Sequence, residues 1–537
     1  MASQKCCPSL LAGLLWTGLG VLFLLQNHGI GPDIWRLLGR YWPILLILLG
    51  LGKVIDYYRQ KEGVSIRVGE IFGIFFILII GSAISRVTDS AVGDLIWRAP
   101  IRIGSSEVSL GNSYSYTQEA SYPVSPDTPL AIENSYGSVT VAPGSDGEVR
   151  VRLKKVVYSD EEARAKDIAG QISIEGRPQG SAEATAFTLK TNREDLAAKE
   201  YRFNTDMEVF VPKRVRLRIN NSYGEVSVSS LEGQLDVSSS QKPVEIRDFK
   251  GDVTASNRYG ESRLSDITGK VTVEARGRVE VESVNGEVNV RNEYSPILVK
   301  NVDGPVTLHN TESSITVESI LKPVTIDARG SQVTARNLTD SLKVTTSHGR
   351  IQIYEAGAGV TINSQYATVT LAGAKGDVVV ESNSDRLNLE NIGGKLKVKG
   401  KGSSVRATQI TGAVDIESSL KDVVVNNFED GCVVANEYAD ITLSTFTLSK
   451  NGITARNRNG DIDLFLPRQA TFQLDAAAKQ GQIASDFEGF TVEAGPGDLR
   501  RIRGSLKSGG PAVSLQTEYG KIRLRVYERE RERERKD

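Results

Sequence analysis

The sequence predicts a mainly β chain: a repetitive β-solenoid of about 18 residues per coil, preceded by a β-rich cap region and, before that, three transmembrane α-helices. Three observations carry this reading. Long apolar runs are confined to roughly the first 90 residues. From residue 221 onward a pattern V x V x x Ψ x G x V x V recurs, where Ψ is a larger apolar residue. A polar turn recurs with it, as NSYG at 134–137 and 221–224, NEYS at 292–295, NEYA at 436–439 and TEYG at 517–520.

The apolar runs come first in the chain. LLAGLLWTGLGVLFLLQ (10–26), YWPILLILLGLGKVI (41–55) and IFGIFFILIIGSAI (71–84) reach, with their flanks, the ~20 mostly apolar residues that a helix needs to cross a bilayer. The expected helices are about 9–27, 38–56 and 68–87, within a membrane region of 1–88. Trp16, Trp35, Tyr41, Trp42, Tyr57 and Tyr58 mostly lie near the run ends, as interfacial aromatics do. Two further apolar runs, and the lack of a small-residue cleavage site, set the first run apart from a cleaved signal peptide. Lys5, Lys53, Arg59, Lys61 and Arg67 place the N-terminus and the second loop in the cytoplasm, against only Arg36 and Arg40 in the first loop. Everything after about residue 88 then lies outside the cytoplasmic membrane, although Arg86, Arg98 and Arg102 count against this orientation.

Composition narrows the function classes. Lys+Arg (65) and Asp+Glu (66) cancel to a formal charge of −1 over 537 residues, so no global field points to nucleic acid. Cys6, Cys7 and Cys432 are odd in number and lack CxxC spacing, which excludes a disulfide framework and a zinc ribbon. His28, His309 and His348 are far apart and form no metal-ligand cluster. Neither a cofactor nor a metal is expected.

After a linker (89–123), the cap region (124–220) alternates apolar and polar residues with period two, as in EVRVRLKKVVY and MEVFVPKRVRLRIN. One helix interrupts it, where Ser159 and Glu162 of SDEEARAKDIAG have capping-box spacing. The solenoid follows over 221–526, with copies such as VSVSSLEGQLDV (226–237), VEIRDFKGDVTA (244–255), VEVESVNGEVNV (279–290), LNLENIGGKLKV (387–398) and VRATQITGAVDI (405–416). Tyr223, Tyr259, Tyr294, Tyr366 and Tyr438 are separated by 36, 35, 72 and 72 residues, and copies without Tyr fall between them, which gives the 18-residue unit. Each coil leaves a row of valines exposed until a neighbour stacks on it.

The turn has a structural explanation for most of its residues. Asn134, Asn221, Asn257, Asn292, Asn310, Asn436 and Asn457 share one position, two before the Tyr site. Asn tolerates left-handed backbone, and its amide can bond backbone groups or an amide stacked ~4.8 Å away in the next coil. Gly224, Gly260 and Gly520, after the Tyr, are expected at positive φ. A turn does not require Tyr. A column of Tyr223, Tyr259, Tyr294, Tyr366 and Tyr438 on every second coil either stacks on a glycan or caps the ends of the core.

Two resemblances add to this. GLLWTGLGVLFLLQNHGI followed by YWPILLILLGLGKVI resembles the two-helix region of bacterial Lia-type cell-envelope stress proteins, carried by residues 10–55. The Gly residues and the Pro at a helix start are read first as packing features. VFVPKRVRLRINNSYGEVSV and the repeats after it resemble the bacterial putative-adhesin family, a group of β-solenoid domains of unknown function, over about 125–525. Tyr stands here where many family copies have Asn before Gly, and the family implies no catalytic residues.

Enzymatic chemistry on a solenoid needs converging carboxylates. Asp327, Asp415, Asp461 and Asp463 are scattered, are expected on the solvated outer face, and form no recurring acid pair in adjacent coils. No phosphate loop or GxSxG elbow occurs, and Cys432 reads as a small core residue. The tail 527–537 alternates Glu and Arg; it is solvated or extends the last strand over an open edge. The function expected is a non-enzymatic, membrane-anchored binding or envelope-sensing protein of the bacterial cytoplasmic (inner) membrane, its C-terminal domain extracytoplasmic. Its expected partners are the membrane, a cell-envelope glycan or protein, and a membrane protein. The alternatives are a lyase or hydrolase acting on envelope polysaccharide, and a structural scaffold.

Overall fold

The computed structural model describes residues 112–527 apart from 126, 127, 182, 183, 197, 198, 200 and 508. The expected transmembrane helices and the charged tail after Tyr527 lie outside the described residues, and no helix among these is long and apolar enough to cross a membrane. The chain divides into one unit of Met1–Ser113 with Tyr158–Glu161 and a second of Tyr114–Val157 with Glu162–Asp537. Only the second is described below.

Valine spacing builds this unit. Alternation sends every other side chain inward, and in Val279–Asn285 and Val288–Glu293 the inward Val279, Val281, Val284, Val288 and Val290 are all buried. One such coil exposes this row to water, at a cost of roughly 1.5–3 kcal/mol per large aliphatic side chain, so it persists only where neighbours stack on it. They do so in parallel register: Val279 pairs with Ile297 and Ile297 with Ile315, while Val288 pairs with Val306 and Val306 with Val324. The result is a β-solenoid of about 14 turns with 18-residue spacing, two strand segments to a coil. In some coils both segments join into one long bent strand, as in Val324–Leu338.

The stacking does not begin at residue 221. Leu130–Asn134 and Val139–Pro143 already form a coil of the same stack, and Asn112–Pro123, within the segment read as a linker, is a strand. The expected helix of the cap region is Glu162–Gln171, and a second, one-turn helix follows at Arg193–Leu196. Lys155, 7% exposed, donates its ammonium to the carbonyls of Ala169 (2.9 Å) and Ile172 (2.5 Å) at the end of that helix, and burial lowers its pKa.

Both ends close out of sequence order. At the N-terminal end, Leu130–Asn134 lies between Ala184–Thr191 and Arg214–Asn221, and Val139–Pro143 between Phe203–Val211 and Val226–Ser239. At the C-terminal end, Ala512–Tyr519 lies between Ile453–Asn459 and Gln473–Lys479, and Lys521–Tyr527 between Ile462–Pro467 and Gln482–Ser485. Antiparallel strands then cover the outermost coils: Ile174–Ser181 and Glu148–Ser159 at one end, Leu499–Ser505 at the other. The last described strand, Lys521–Tyr527, is therefore interior to the stack.

Candidate functional site

Each coil presents two bends, and the candidate residues sit on them. At the first bend, register pairs Asn134 with Asn221, Asn292 with Asn310 and Asn436 with Asn457, so the asparagines do form one column; Ser239, Ala275, Ala328, Thr346, Ser364, Ser382, Gly400, Ser418 and Thr517 are among its other positions. These asparagines are buried, and none has the left-handed backbone that the sequence reading allowed them. Their side chains point inward and work as clamps. Asn257, Asn292, Asn310 and Asn436 each donate the amide to a carbonyl fifteen residues earlier in the preceding coil, at Lys242, Gly277, Ser295 and Lys421, over 2.8–3.1 Å. Asn221 and Asn457 do the same to Gly137 (3.0 Å) and Ala439 (2.8 Å). Their amide N–H groups bond backbone carbonyls.

The glycines of this bend have a different cause from the one expected. Gly224, Gly260 and Gly520 are not at positive φ. A Cβ on Gly224 would lie 1.6 Å from the Gly137 carbonyl oxygen, and on Gly260 or Gly520 2.0 Å from those of Lys242 and Gly460. Close approach of one coil to the next excludes a side chain there.

Tyr223, Tyr259, Tyr294, Tyr366 and Tyr438 lie two residues past this column, but on every second coil only as far as Tyr294; from there the interval is four coils. Rings two coils apart are ~10 Å apart, too far to stack on each other. Tyr223 is half-buried, stacked on Tyr136 of the neighbouring coil at 4.6 Å and 11°. The Arg193 guanidinium covers the Tyr136 ring at 4.7 Å and Phe203 at 4.0 Å, and burial lowers its pKa to about 10, still charged at neutral pH. Tyr259, Tyr294, Tyr366 and Tyr438 stand 47–63% exposed, with Tyr366 stacked on His348 at 5.2 Å. Tyr519 is 48% exposed on the same edge.

The second bend was not anticipated. Ser230, Asp248, Asp266, Ser283, Asn301, Ser319, Asn337, Glu355, Asn391, Gln409 and Asn427, in successive coils, all have φ between 49° and 61°, with Gly373 at 94° among them. This is the residue before Ψ. Its left-handed turn steps out of the alternation and swings Ψ (Leu231, Phe249, Ile267, Phe428 and their equivalents) into the core. Along coils 337–447 this corner sinks into a groove of about 1080 Å³. Ala356 and Ala374 stand there where most coils carry Leu, Ile, Val or Phe, and Gly357, Gly373 and Gly393 flank them.

Carboxylates serve the framework. Asp422 and Asp440, one 18-residue unit apart, and Asp461, one 21-residue coil further on, do form an acid column in adjacent coils, contrary to the expectation. Each accepts the backbone N–H one coil on, from Asp440 (3.2 Å), Asp461 (2.8 Å) and Lys521 (2.8 Å). Asp463 is not on a solvated face: its side chain is 17% exposed and Arg523 grips both its oxygens. Asp327 is exposed with His309 at 3.2 Å, and Asp415 is exposed too. Cys432 is fully buried in the core row, and burial pushes its thiol pKa well up, which removes nucleophilic character. Among the described residues, no three His, Cys, Asp or Glu side chains converge on a metal-sized site.

Known proteins match this chain in two stretches. The LiaF transmembrane domain model matches residues 11–101, and the Toastrack DUF4097 model matches 324–525. No curated protein matches. One solved structure, described as a "putative cell adhesion protein" from Clostridium sporogenes, aligns at 8% identity over 77% of this chain and 100% of its own, with a TM-score of 0.12. The chain is thus similar to the LiaF transmembrane domain over 11–101 and to the Toastrack DUF4097 domain over 324–525.

Proposed function

We propose that this protein is a membrane-anchored binding or envelope-sensing protein without catalytic activity. Helices about 9–27, 38–56 and 68–87 hold the solenoid on the extracytoplasmic face of a bacterial cytoplasmic membrane, where its long side engages an envelope glycan or protein. The observation that carries this reading is the surface left free. Side chains fill the interior, and antiparallel strands cover the N-terminal end and the Gln473–Lys479 side of the C-terminal end, which leaves the long flanks free on a chain whose residues 11–101 match a transmembrane domain. Exposed Tyr259, Tyr294, Tyr366 and Tyr438 supply one row of candidate contacts. Carboxylates committed to backbone N–H groups or to Arg523 speak against glycoside chemistry. Full-length protein in nanodiscs, sedimented with purified cell-wall sacculi and with envelope protein extract, should pellet with one of them. Protein that stays in the supernatant with both refutes the reading.

A further inference from the structure

We infer that the groove along coils 337–447 is a subsite for a neutral, linear glycan lying parallel to the solenoid axis; this rests on the binding reading above. Three features of the groove select that ligand class. Backbone recognition is already used up. The N–H groups of Thr339, Gly357, Lys375, Gly393, Thr411 and Glu429 donate to carbonyls of the preceding coil at 2.6–2.9 Å, so an extended peptide finds no free strand edge to join. A ligand must instead be read by side chains.

Those side chains are carboxamides and hydroxyls. Asn337, Asn391, Gln409 and Asn427 line one wall, and Thr339 and Thr411 the other. The acidic Glu355 and Glu429 are offset by only one cation, Lys375, which disfavours a polyanion. Amides and hydroxyls both donate and accept, as sugar hydroxyls do. The left-handed backbone explains Asn at this corner, because Asn adopts it at little cost, but it does not explain Gln409 or Glu355.

Geometry supplies the third feature. Asn391, Gln409 and Asn427 occupy equivalent positions in three consecutive coils ~4.8 Å apart, so a linear polymer meets a carboxamide at each of them, whereas a compact ligand uses few of them. At the C-terminal end of the groove Phe446 is 39% exposed, its ring edge-on to Tyr527 at 4.6 Å, and presents an apolar face of the kind that packs against a sugar ring.

The test is titration of full-length protein in nanodiscs with hexasaccharides of glucose, of N-acetylglucosamine and of galacturonate, read by calorimetry. A neutral hexasaccharide should bind and galacturonate should not. Asn391→Gly together with Gln409→Gly keeps the left-handed backbone while removing two amides, and should weaken binding at least about tenfold. Leu420→Ser, at an exposed side chain of the first bend outside the groove, should leave it within about twofold. Unchanged binding in the groove variant, or loss only in the Leu420 variant, overturns the inference. Co-sedimentation with sacculi without binding of either neutral hexasaccharide overturns it as well, while leaving the broader reading standing. Failure to sediment with either envelope fraction removes both.

Discussion

Asn257 and Tyr259 sit two residues apart in one turn, and the structure assigns them opposite weights. Asn257 is 0% exposed, its amide donates to Lys242 (3.1 Å) and Glu261 (3.2 Å), and its oxygen accepts the Gly260 N–H at 3.1 Å. Asn257→Ala removes three hydrogen bonds of ~1 kcal/mol each and leaves buried backbone groups unpaired, so a local loss of about 3–4 kcal/mol is expected. Tyr259 is 55% exposed, and Tyr259→Ala should cost no more than about 0.5 kcal/mol. Solenoids unfold coil by coil, so the assay is native-state hydrogen exchange of the amides of residues 244–275 rather than a global melt. Exchange there should accelerate by two orders of magnitude or more in the Asn variant and hardly change in the Tyr variant. Equal effects, or a larger one from Tyr259→Ala, would refute the assignment of Asn as clamp and Tyr as display.

Three further outcomes follow from the same geometry. Gly224→Ala drives a Cβ into the Gly137 carbonyl and should prevent soluble expression or cost several kcal/mol, whereas Gly170→Ala, with open space around it, should be neutral or slightly stabilising in urea denaturation. Asp385 is 5% exposed, and burial raises its carboxyl pKa above the ordinary 3.8, partly offset by hydrogen bonds from Ser364 and Ala367 (2.7 Å). Its contribution to stability is therefore full below the unfolded pKa and falls as pH rises through the folded one. The urea midpoint of Asp385→Asn relative to the parent should rise between about pH 4 and pH 7, and a constant difference would contradict the burial argument. Deleting 512–537 removes the buried Val513, Leu515, Ile522 and Leu524, about 6–12 kcal/mol of burial, and bares two coil edges. Light scattering should show aggregation, and limited proteolysis should cut first in 453–505.

The period and the core were legible because valine columns repeat with chemical identity: Val279, Val288 and Val306 look alike wherever they occur. The Asn column was legible for the same reason, although its mechanism was not, since a clamp to the preceding coil depends on which way the side chain points. The left-handed corner escaped notice because Ser230, Asp248, Glu355, Gln409 and Asn427 share a backbone conformation and polarity but no single residue type that would mark a column. Asp461 and the interleaved C-terminal coil were hidden by offsets of 21 and 60 residues, which no 18-residue frame brings into line, whereas Asp422 and Asp440 lie one unit apart and were legible as a pair. A hollow at Ala356 and Ala374 becomes visible only when the coils are stacked.

Sidedness tests the account most directly. Cys6 and Cys7 are replaced by Ser, Cys432 stays because it is buried, and single cysteines are introduced by Tyr438→Cys on the exposed edge or Lys61→Cys in the second loop. A membrane-impermeant maleimide applied to intact spheroplasts should label the Tyr438→Cys protein at once and the Lys61→Cys protein only after lysis. Labelling of the Tyr438→Cys protein only after lysis would place the solenoid in the cytoplasm and contradict an envelope-binding role.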